Sequence, residues 1–269
     1  MSTTAVQEQE GGPAPVDPQS DKPARAGRRS LASYLAMPVA LAIVLLLVWW
    51  AVSRRELDSA EQERLSFSYI VGVTQDHIVL TVVSTVIVLL IAIPMGILLT
   101  RSFARPITPP AISVFNIGQA VPTIGLLAIF AIVGTFGLGF KPTVIGLVAY
   151  TTLPVLRNTM VGLAQVDASV IESARGMGMT KFAVLTRIEL PLAVPVIMAG
   201  LRTALTINVG TATLGAFIGA DCLGRLIVSG FSGNRPFITT VGAILVAVLA
   251  LLVDYLAGIA EDVLRPRGL

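Results

Sequence analysis

Six apolar runs constrain the fold of this chain more than any other feature of its sequence. They cover residues 35–52, 77–100, 111–134, 142–156, 192–217 and 237–260. A helix needs about 20 predominantly apolar residues to cross the hydrocarbon core of a bilayer. Only 13% of the residues are charged, whereas soluble domains carry about 25%. The sequence therefore predicts an all-α integral membrane protein with about six transmembrane helices.

The N-terminal region differs from the rest of the chain. Residues 1–30 are rich in Pro, Gly, Gln and Ser and hold no apolar run, so we expect a disordered tail. Its basic end before the run at 35–52 resembles a signal peptide, but that run has 18 residues and no small-x-small cleavage site follows it. We therefore predict a retained first span. The predicted organisation is a tail at 1–30, a first helix with an outer loop at 31–76, and a transmembrane domain at 77–266.

The spans carry small residues and prolines that indicate a packed bundle. Gly, Ala, Ser and Thr recur through 81–96, 117–135 and 199–216, which lets helix backbones approach closely. Prolines inside the spans free carbonyl groups that neighbouring helices or a water-lined cavity must satisfy. Both features favour a transporter over a simple membrane anchor.

The positions of Lys and Arg predict the orientation of the spans. With a cytoplasmic N-terminus, twelve of the 19 Lys and Arg residues fall on the cytoplasmic side and six on the outer side, and Arg202 lies within the fifth span. Lys and Arg are enriched in cytoplasmic loops. We therefore expect both termini, and the connection between the fourth and fifth spans, to be cytoplasmic.

Several function classes find no support in the sequence. There is no G-x-x-x-x-G-K-[ST] motif, so the chain is not expected to bind ATP through a P-loop. Basic residues are scattered and aromatic residues make up 6%, which argues against a nucleic-acid partner. Cys222 and His77 are each the only residue of their type, so we predict no metal site and read both as incidental.

A charged stretch separates the fourth and fifth runs, with the sequence ESARGMGMTKFAVLTRIELP at residues 172–191. Charges at this density are too costly for a bilayer core, so the stretch must lie in water. Its spacing resembles the EAA loop of binding-protein-dependent ABC importer permeases, in which EAA, three residues, G, nine residues and I-x-L-P follow one another. Ser173 in place of the first alanine is the one departure from that pattern.

The resemblance implies a function for this loop, which we place at 158–191. In the family, two short helices of the loop dock on a separate ATP-binding subunit. The expected coupling residues are Glu172, Ser173, Ala174, Gly178, Ile188, Leu190 and Pro191. We expect Gly176 and Gly178 to loosen the helix between the halves, Glu172 to lie near a helix start, and Phe182 to lie on a packed face.

Longer segments, including LPVLRNTMVGLAQVD and GTATLGAFIGADCLGRLI, resemble the osmoprotectant branch of this family, over about residues 78–266. The resemblance implies a type I importer permease fold in a bacterial plasma membrane, with glycine betaine, choline, carnitine or proline betaine as the solute. It implies no enzyme activity and no cofactor in this chain, because the ATPase partner binds the ATP. The other implied partners are an extracytoplasmic substrate-binding protein, a second permease copy or paralogue, and membrane lipid.

Polar residues within or beside the spans are further candidates. Possible pathway or gate residues, which could instead bond across helices or form a flexible connection, are Asn116, Gln119, Thr123, Asn208, Gly219 and Gly224. Asp254 is an acid inside the sixth span, where a charge is usually functional or paired; a proton relay or a structural hydrogen bond would each explain it. Arg202 is expected to be paired or to snorkel.

Three alternative functions compete with the osmoprotectant permease. An ABC permease for another small solute, such as an amino acid or a sulfonate, would share the loop. An ion-coupled secondary transporter would need inverted repeats and several buried charges, and the sequence has no clear repeat and mainly one buried acid. A membrane scaffold would not need the loop pattern.

Overall fold

The computed structural model describes residues 31–133 and 136–264, with side chains from residue 34 onward. The predicted tail at 1–30 therefore lies outside the described residues. The α-helices of the described part, numbered α1 to α11 in chain order, are Leu31–Arg54, Ser59–Arg64, Phe67–Leu99, Thr108–Ala120, Thr123–Val133, Phe140–Ala164, Ala168–Gly176, Lys181–Val184, Leu190–Ala212, Gly224–Ser232 and Pro236–Leu264. Within these ranges the backbone forms no β-strand.

The predicted spans are confirmed in number but not in every boundary. Five helical segments are long and apolar enough to cross a membrane, and a sixth is obtained if α4 and α5 count as one span. α3 begins at Phe67, so the predicted boundary at residue 77 falls inside this helix. α6 continues to Ala164, so the first seven residues of the predicted loop at 158–191 belong to a span.

The third predicted span is broken. α4 and α5 meet at an angle of 99°, at Val121 and Pro122, so the run at 111–134 does not form a single straight helix. Val121 has an extended backbone, as expected for a residue before proline, and Pro122 has no N–H to continue the ladder of α4. Apolarity alone gives no sign of this bend.

Three long helices, α3, α6 and α9, form the centre of the bundle. Small residues let them approach closely, as predicted: a Cβ on Gly96 of α3 would lie 2.7 Å from Thr159 of α6, and one on Gly200 of α9 would lie 2.5 Å from Asn158 of α6. The buried residues Leu80 and Leu147 fill the space between these helices. Such contacts suit helices in lipid, where packing rather than water exclusion drives association.

The first helix lies at the periphery. Among the described side chains of α1, only Leu41 is buried, and Trp49 is 67% exposed. α1 packs along α11, where the Tyr255 hydroxyl donates to the Tyr34 carbonyl at 2.7 Å. An apolar helix with so few contacts is suited to lipid rather than to a binding site.

The connections fall at two ends of the bundle. One end, which we call the EAA end, carries the turn at 100–107 and the segment at 165–189. The opposite end carries the connections at 55–66 and 219–235. At the opposite end, the Arg235 guanidinium binds the carboxylate of Asp58 at 2.9 Å, so α2 is tied to the start of α11.

Candidate coupling hairpin and translocation path

Two short helices, α7 and α8, form a hairpin at the EAA end. Asp167 caps α7 by accepting the N–H of Ser169 at 2.8 Å, and Thr180 caps α8 by accepting the N–H of Ala183 at 3.2 Å. The backbone N–H of Ser169 lowers the pKa of the Asp167 carboxyl below its usual value. Glu172 is the fifth residue of α7, so the prediction that it lies near the helix start is wrong, and Asp167 has that position.

The turn between the two helices depends on Gly178. α7 ends at Gly176, and Gly178 has a φ of +87°, which lies in the left-handed region. The Met179 N–H reaches back to the Ala174 carbonyl at 3.2 Å, as in a glycine-terminated helix. The predicted break between the two halves is therefore confirmed, and its cause is a backbone conformation that favours glycine.

The hairpin has an inner face on the bundle and an outer face in solvent. Ala174 and Val184 are 1% and 2% exposed and lie on the inner face. Met177 and Phe182 are 78% and 74% exposed. Phe182 is therefore not packed against this bundle, and packing of its face on a partner stays a prediction. The charged side chains that accompany these two on the exposed surface are Glu172, Arg175, Lys181 and Arg187.

The end of the motif continues into a membrane span. Residues from Lys181 to Ile218 form one segment of 38 residues, in which Leu185–Glu189 is a π-helical turn. Pro191 has no N–H to donate to the carbonyl four residues earlier, and the π-helical turn, which is wider than an α-helical turn, directly precedes this proline. Ile188 and Leu190 are half-buried around this turn. The second half of the hairpin, α8, is thus a direct extension of α9.

A cleft of about 920 Å³ separates the hairpin from the turn at 100–103. Arg175 and Lys181 line it from the hairpin, and Arg101 lines it from the turn. The Glu189 carboxylate binds the Arg101 guanidinium across this cleft at 2.6 Å. The sequence prediction did not include this contact, since the two residues lie 88 positions apart.

Three of the predicted pathway residues lie on the bent helix pair. The exposed Asn116 accepts a hydrogen bond from Arg157 of α6 at 2.6 Å, and Gln119 donates to the Tyr150 carbonyl at 2.9 Å. Thr123 follows the bend as the first residue of α5. Asn116 and Arg157 thus form a polar surface on a membrane helix, and a charge there normally faces water or another subunit.

Asn208 has a different position. It is 1% exposed, and its amide donates to the Ser84 and Thr85 hydroxyls of α3 at 2.7 and 2.9 Å. Asn208 therefore bonds across helices and lines no surface of this bundle, so its predicted pathway role is not supported.

The connection at 219–224 is anchored rather than loose. Gly219 has a φ of +85°, and a Cβ on Gly224 would lie 2.0 Å from the Thr213 carbonyl oxygen. His77 is fully buried; it accepts the Leu223 N–H on Nδ1 at 3.3 Å, so Nε2 carries the proton and donates to the Val209 carbonyl at 3.0 Å. This hydrogen bonding fixes α3 against both α9 and the start of α10.

His77 and Cys222 are therefore not incidental. The Cys222 thiol donates to the Ala212 carbonyl at 3.4 Å, and burial raises its pKa above the usual value. Both side chains satisfy carbonyls at the end of α9. A polar residue at the start of an apolar run was the available signal for His77. Its partners, more than 130 positions away, could not be read from the sequence.

Asp254 is paired. Its two carboxylate oxygens accept from Nε and Nη2 of Arg202, each at 2.6 Å. The pair joins α11 to α9, and Glu261 lies 3.9 Å from the same guanidinium. The structural role foreseen for Asp254 and the pairing foreseen for Arg202 are both confirmed, and a bidentate arginine contact gives no support to a proton relay.

Comparison with known proteins agrees with this geometry. The family model of the binding-protein-dependent transport system inner membrane component matches residues 92–267. The chain belongs to this family. It is accordingly a multi-pass membrane protein of the permease type, and this separates it from ion-coupled secondary transporters and from scaffolds.

Curated relatives cover most of the chain. The carnitine transport permease protein OpuCD of Listeria monocytogenes is 40% identical over 200 residues, which cover 74% of this chain and 88% of the relative. The choline transport system permease protein OpuBB of Bacillus subtilis is 38% identical over 196 residues, covering 73% and 88%. The osmoprotectant import permease protein OsmY of Salmonella typhimurium is 36% identical over 227 residues, covering 84% and 93%.

Solved structures share the fold. A chain of the MetNI methionine ABC transporter in an inward-facing conformation aligns with a TM-score of 0.67 at 21% identity, covering 78% of this chain and all of that chain. An amino acid ABC transporter aligns with a TM-score of 0.63 at 20% identity, covering 77% and 99%. The predicted type I importer permease fold is therefore confirmed.

Proposed function

We propose that this chain is the membrane-spanning subunit of an ATP-driven importer of osmoprotectants with a quaternary ammonium group, such as glycine betaine, carnitine and choline. The solute class is supported by the names of relatives that are 36–40% identical. The mechanism is supported above all by the hairpin of α7 and α8, which ends a membrane span in water and matches the EAA spacing at every position but Ser173.

The exposed surface of the hairpin suits docking on a separate ATP-binding subunit. Met177 and Phe182 are large apolar side chains that lie exposed on the hairpin, and such residues are enriched at the centres of protein interfaces. Arg175, Lys181 and Glu172 are exposed on the same two helices, and charges at an interface set orientation and association rate more than affinity. ATP binds to the partner, and this chain needs no cofactor of its own.

The continuity of α8 with α9 supports a mechanical role for docking. A displacement of the hairpin passes along a segment of 38 residues into the centre of the bundle. Helices packed through small residues such as Gly200 move as rigid bodies rather than bending. Closure of two ATPase subunits would thereby reorient α9 against its neighbours and switch the access of the pathway.

The assembly requires further subunits. A second permease copy or a paralogue would face the polar surface of Asn116 and Arg157, and an extracytoplasmic binding protein would deliver the solute at the opposite end. Selectivity belongs largely to that binding protein, because aromatic cages usually hold quaternary ammonium groups and both tryptophans, Trp49 and Trp50, lie exposed on peripheral α1.

The test is uptake by the complex reconstituted in liposomes with its ATPase subunit and binding protein. Labelled glycine betaine, choline and carnitine are offered with and without internal ATP, beside methionine and a sulfonate. We expect ATP-dependent uptake of at least one quaternary ammonium solute. Uptake of methionine or the sulfonate alone would reject the solute class and leave the permease function intact.

Two variants test the docking step in the same system. Gly178→Asp places a side chain on the left-handed turn, and Glu172→Arg reverses an exposed charge of the motif. Each should reduce co-purification of the ATPase subunit and uptake together. If both variants retain the ATPase subunit and transport at the wild-type rate, the hairpin is not the coupling element.

A further inference from the structure

The ion pair between Arg101 and Glu189 connects two parts of the EAA end that are distant in sequence. Glu189 is 6% exposed, and both of its oxygens face Arg101, at 2.6 Å from Nη2 and 3.4 Å from Nη1. Bidentate contacts of this kind fix the orientation of both side chains as well as their distance. Glu189 lies in the π-helical turn between the hairpin and α9, where any displacement of the hairpin must pass.

Arg101 is itself part of a rigid turn. Its Nε donates to the Ile97 carbonyl at the end of α3 at 3.3 Å, and its own carbonyl accepts the Ala104 N–H at 3.0 Å. The Thr108 hydroxyl lies 2.9 Å from the Leu99 carbonyl and 3.0 Å from that of Ala104. These bonds join the last residues of α3 to the first residue of α4.

The turn leads directly into the bent helix pair. α4 begins at Thr108 and carries Asn116 and Gln119. α4 and α5 pack mainly against α6, and α5 also packs against the 3-10 turn at Thr213–Ile218 that continues α9. A displacement of α9 would therefore reach the bent pair through α6, or at the end of α9 farthest from the hairpin through the turn at Thr213–Ile218. The contact between Glu189 and Arg101 is a shorter connection from the hairpin to these helices.

We propose that Arg101 is a positioning residue that transmits movement of the coupling hairpin to the bent pair α4–α5, alongside the direct connection into α9. As the hairpin moves, the carboxylate of Glu189 draws the guanidinium and the turn at 100–108 with it. The two sides of the pathway then move in concert. The inference rests on the proposed function, because it requires an ATPase subunit that moves the hairpin.

A cycle of neutral variants tests the proposal in the reconstituted complex. The variants are Arg101→Gln, Glu189→Gln and the double variant, and the matched control is Arg105→Gln. Arg105 is an exposed cation of the same turn and makes no ion pair with the described acidic side chains. The quantities measured are solute uptake, ATP hydrolysis and the amount of ATPase subunit that co-purifies.

We expect the uptake per ATP hydrolysed to fall about tenfold in each single variant, the order of a typical coupling between two sites. Hydrolysis and co-purification should stay at the wild-type level, and Arg105→Gln should behave as wild type. Because the two residues act through one contact, the double variant should lose no more than the worse single variant.

Three results would overturn the proposal. The first is an unchanged uptake per ATP in both single variants, and the second is a double variant whose loss equals the product of the single losses. The third is a parallel loss of uptake, hydrolysis and co-purification, which would make the pair a structural support. A wild-type complex without ATP-dependent uptake would instead reject the proposed function.

Discussion

Replacing Gly178 by alanine isolates the backbone of the coupling hairpin from its side chains. The φ of Gly178 is +87°, and a Cβ built there meets no atom within 4 Å. The substitution therefore adds no clash, and its cost is the left-handed conformation alone, about 1–2 kcal/mol for a residue with a Cβ. The free hairpin can relieve this strain by changing the conformation of its turn. The docked hairpin must return to the original geometry, so the strain lowers the affinity for the ATPase subunit.

The matched control is Gly176→Ala, two residues earlier. Gly176 is the last residue of α7 and has neither a positive φ nor an atom within 4 Å of its Cβ. Alanine there gains up to about 1 kcal/mol of helix propensity. The two variants make the same chemical change at neighbouring positions and differ in the sign of the expected effect.

The assay is a titration of the permease, held in nanodiscs, with the purified ATPase subunit. We expect Gly178→Ala to weaken binding about five- to thirtyfold, which corresponds to 1–2 kcal/mol, and Gly176→Ala to bind as well as wild type or better. The thermal unfolding midpoint of the bundle should not change in either variant. Equal affinities of the two variants would refute the argument that the left-handed turn sets the docking geometry.

Two further predictions concern the bundle itself. Asp254→Leu leaves the Arg202 guanidinium without its bidentate partner and should destabilise the protein by about 1 kcal/mol, since both groups are partly exposed. Thermal unfolding in detergent should show this loss, and the double variant of Arg202→Met and Asp254→Leu should recover it. An unchanged midpoint in Asp254→Leu would show that the pair contributes nothing to stability. Gly200→Ala should cost about 1–3 kcal/mol in the same assay, because its Cβ would lie 2.5 Å from Asn158. Gly210→Ala, on the same helix with no atom within 4 Å, should be neutral or should stabilise by up to about 1 kcal/mol through helix propensity. Equal midpoints of the two variants would refute close packing at Gly200.

Local patterns in the sequence predicted much of this protein. Five of the six runs lie in continuous helical segments. The spacing from Glu172 to Pro191 predicted a hairpin that is broken at Gly178 and continuous with a span. Both features depend on residues within about 20 positions of each other. At that range the structure is decided by the transfer of apolar side chains into lipid and by the backbone conformations of glycine and proline.

The limits of that prediction are also physical. Glu172 was assigned to a helix start because the motif begins there, but the helix begins four residues earlier behind the cap of Asp167. The bend at Pro122 was missed because an apolar run has the same hydropathy whether it is straight or bent by 99°. Proline in a membrane helix is compatible with a continued helix when neighbours satisfy the freed carbonyls, as Pro94 inside α3 shows.

The sequence alone determined that this chain lies in a membrane and carries the coupling motif of its family. The tertiary structure decided which polar groups meet: Arg101 with Glu189, His77 with Leu223, and Asn208 with α3. A sequence pattern reports the cost of placing a polar group in the bundle. Which partner offsets that cost depends on the helices that become its neighbours, and only the packing of the whole chain sets those neighbours.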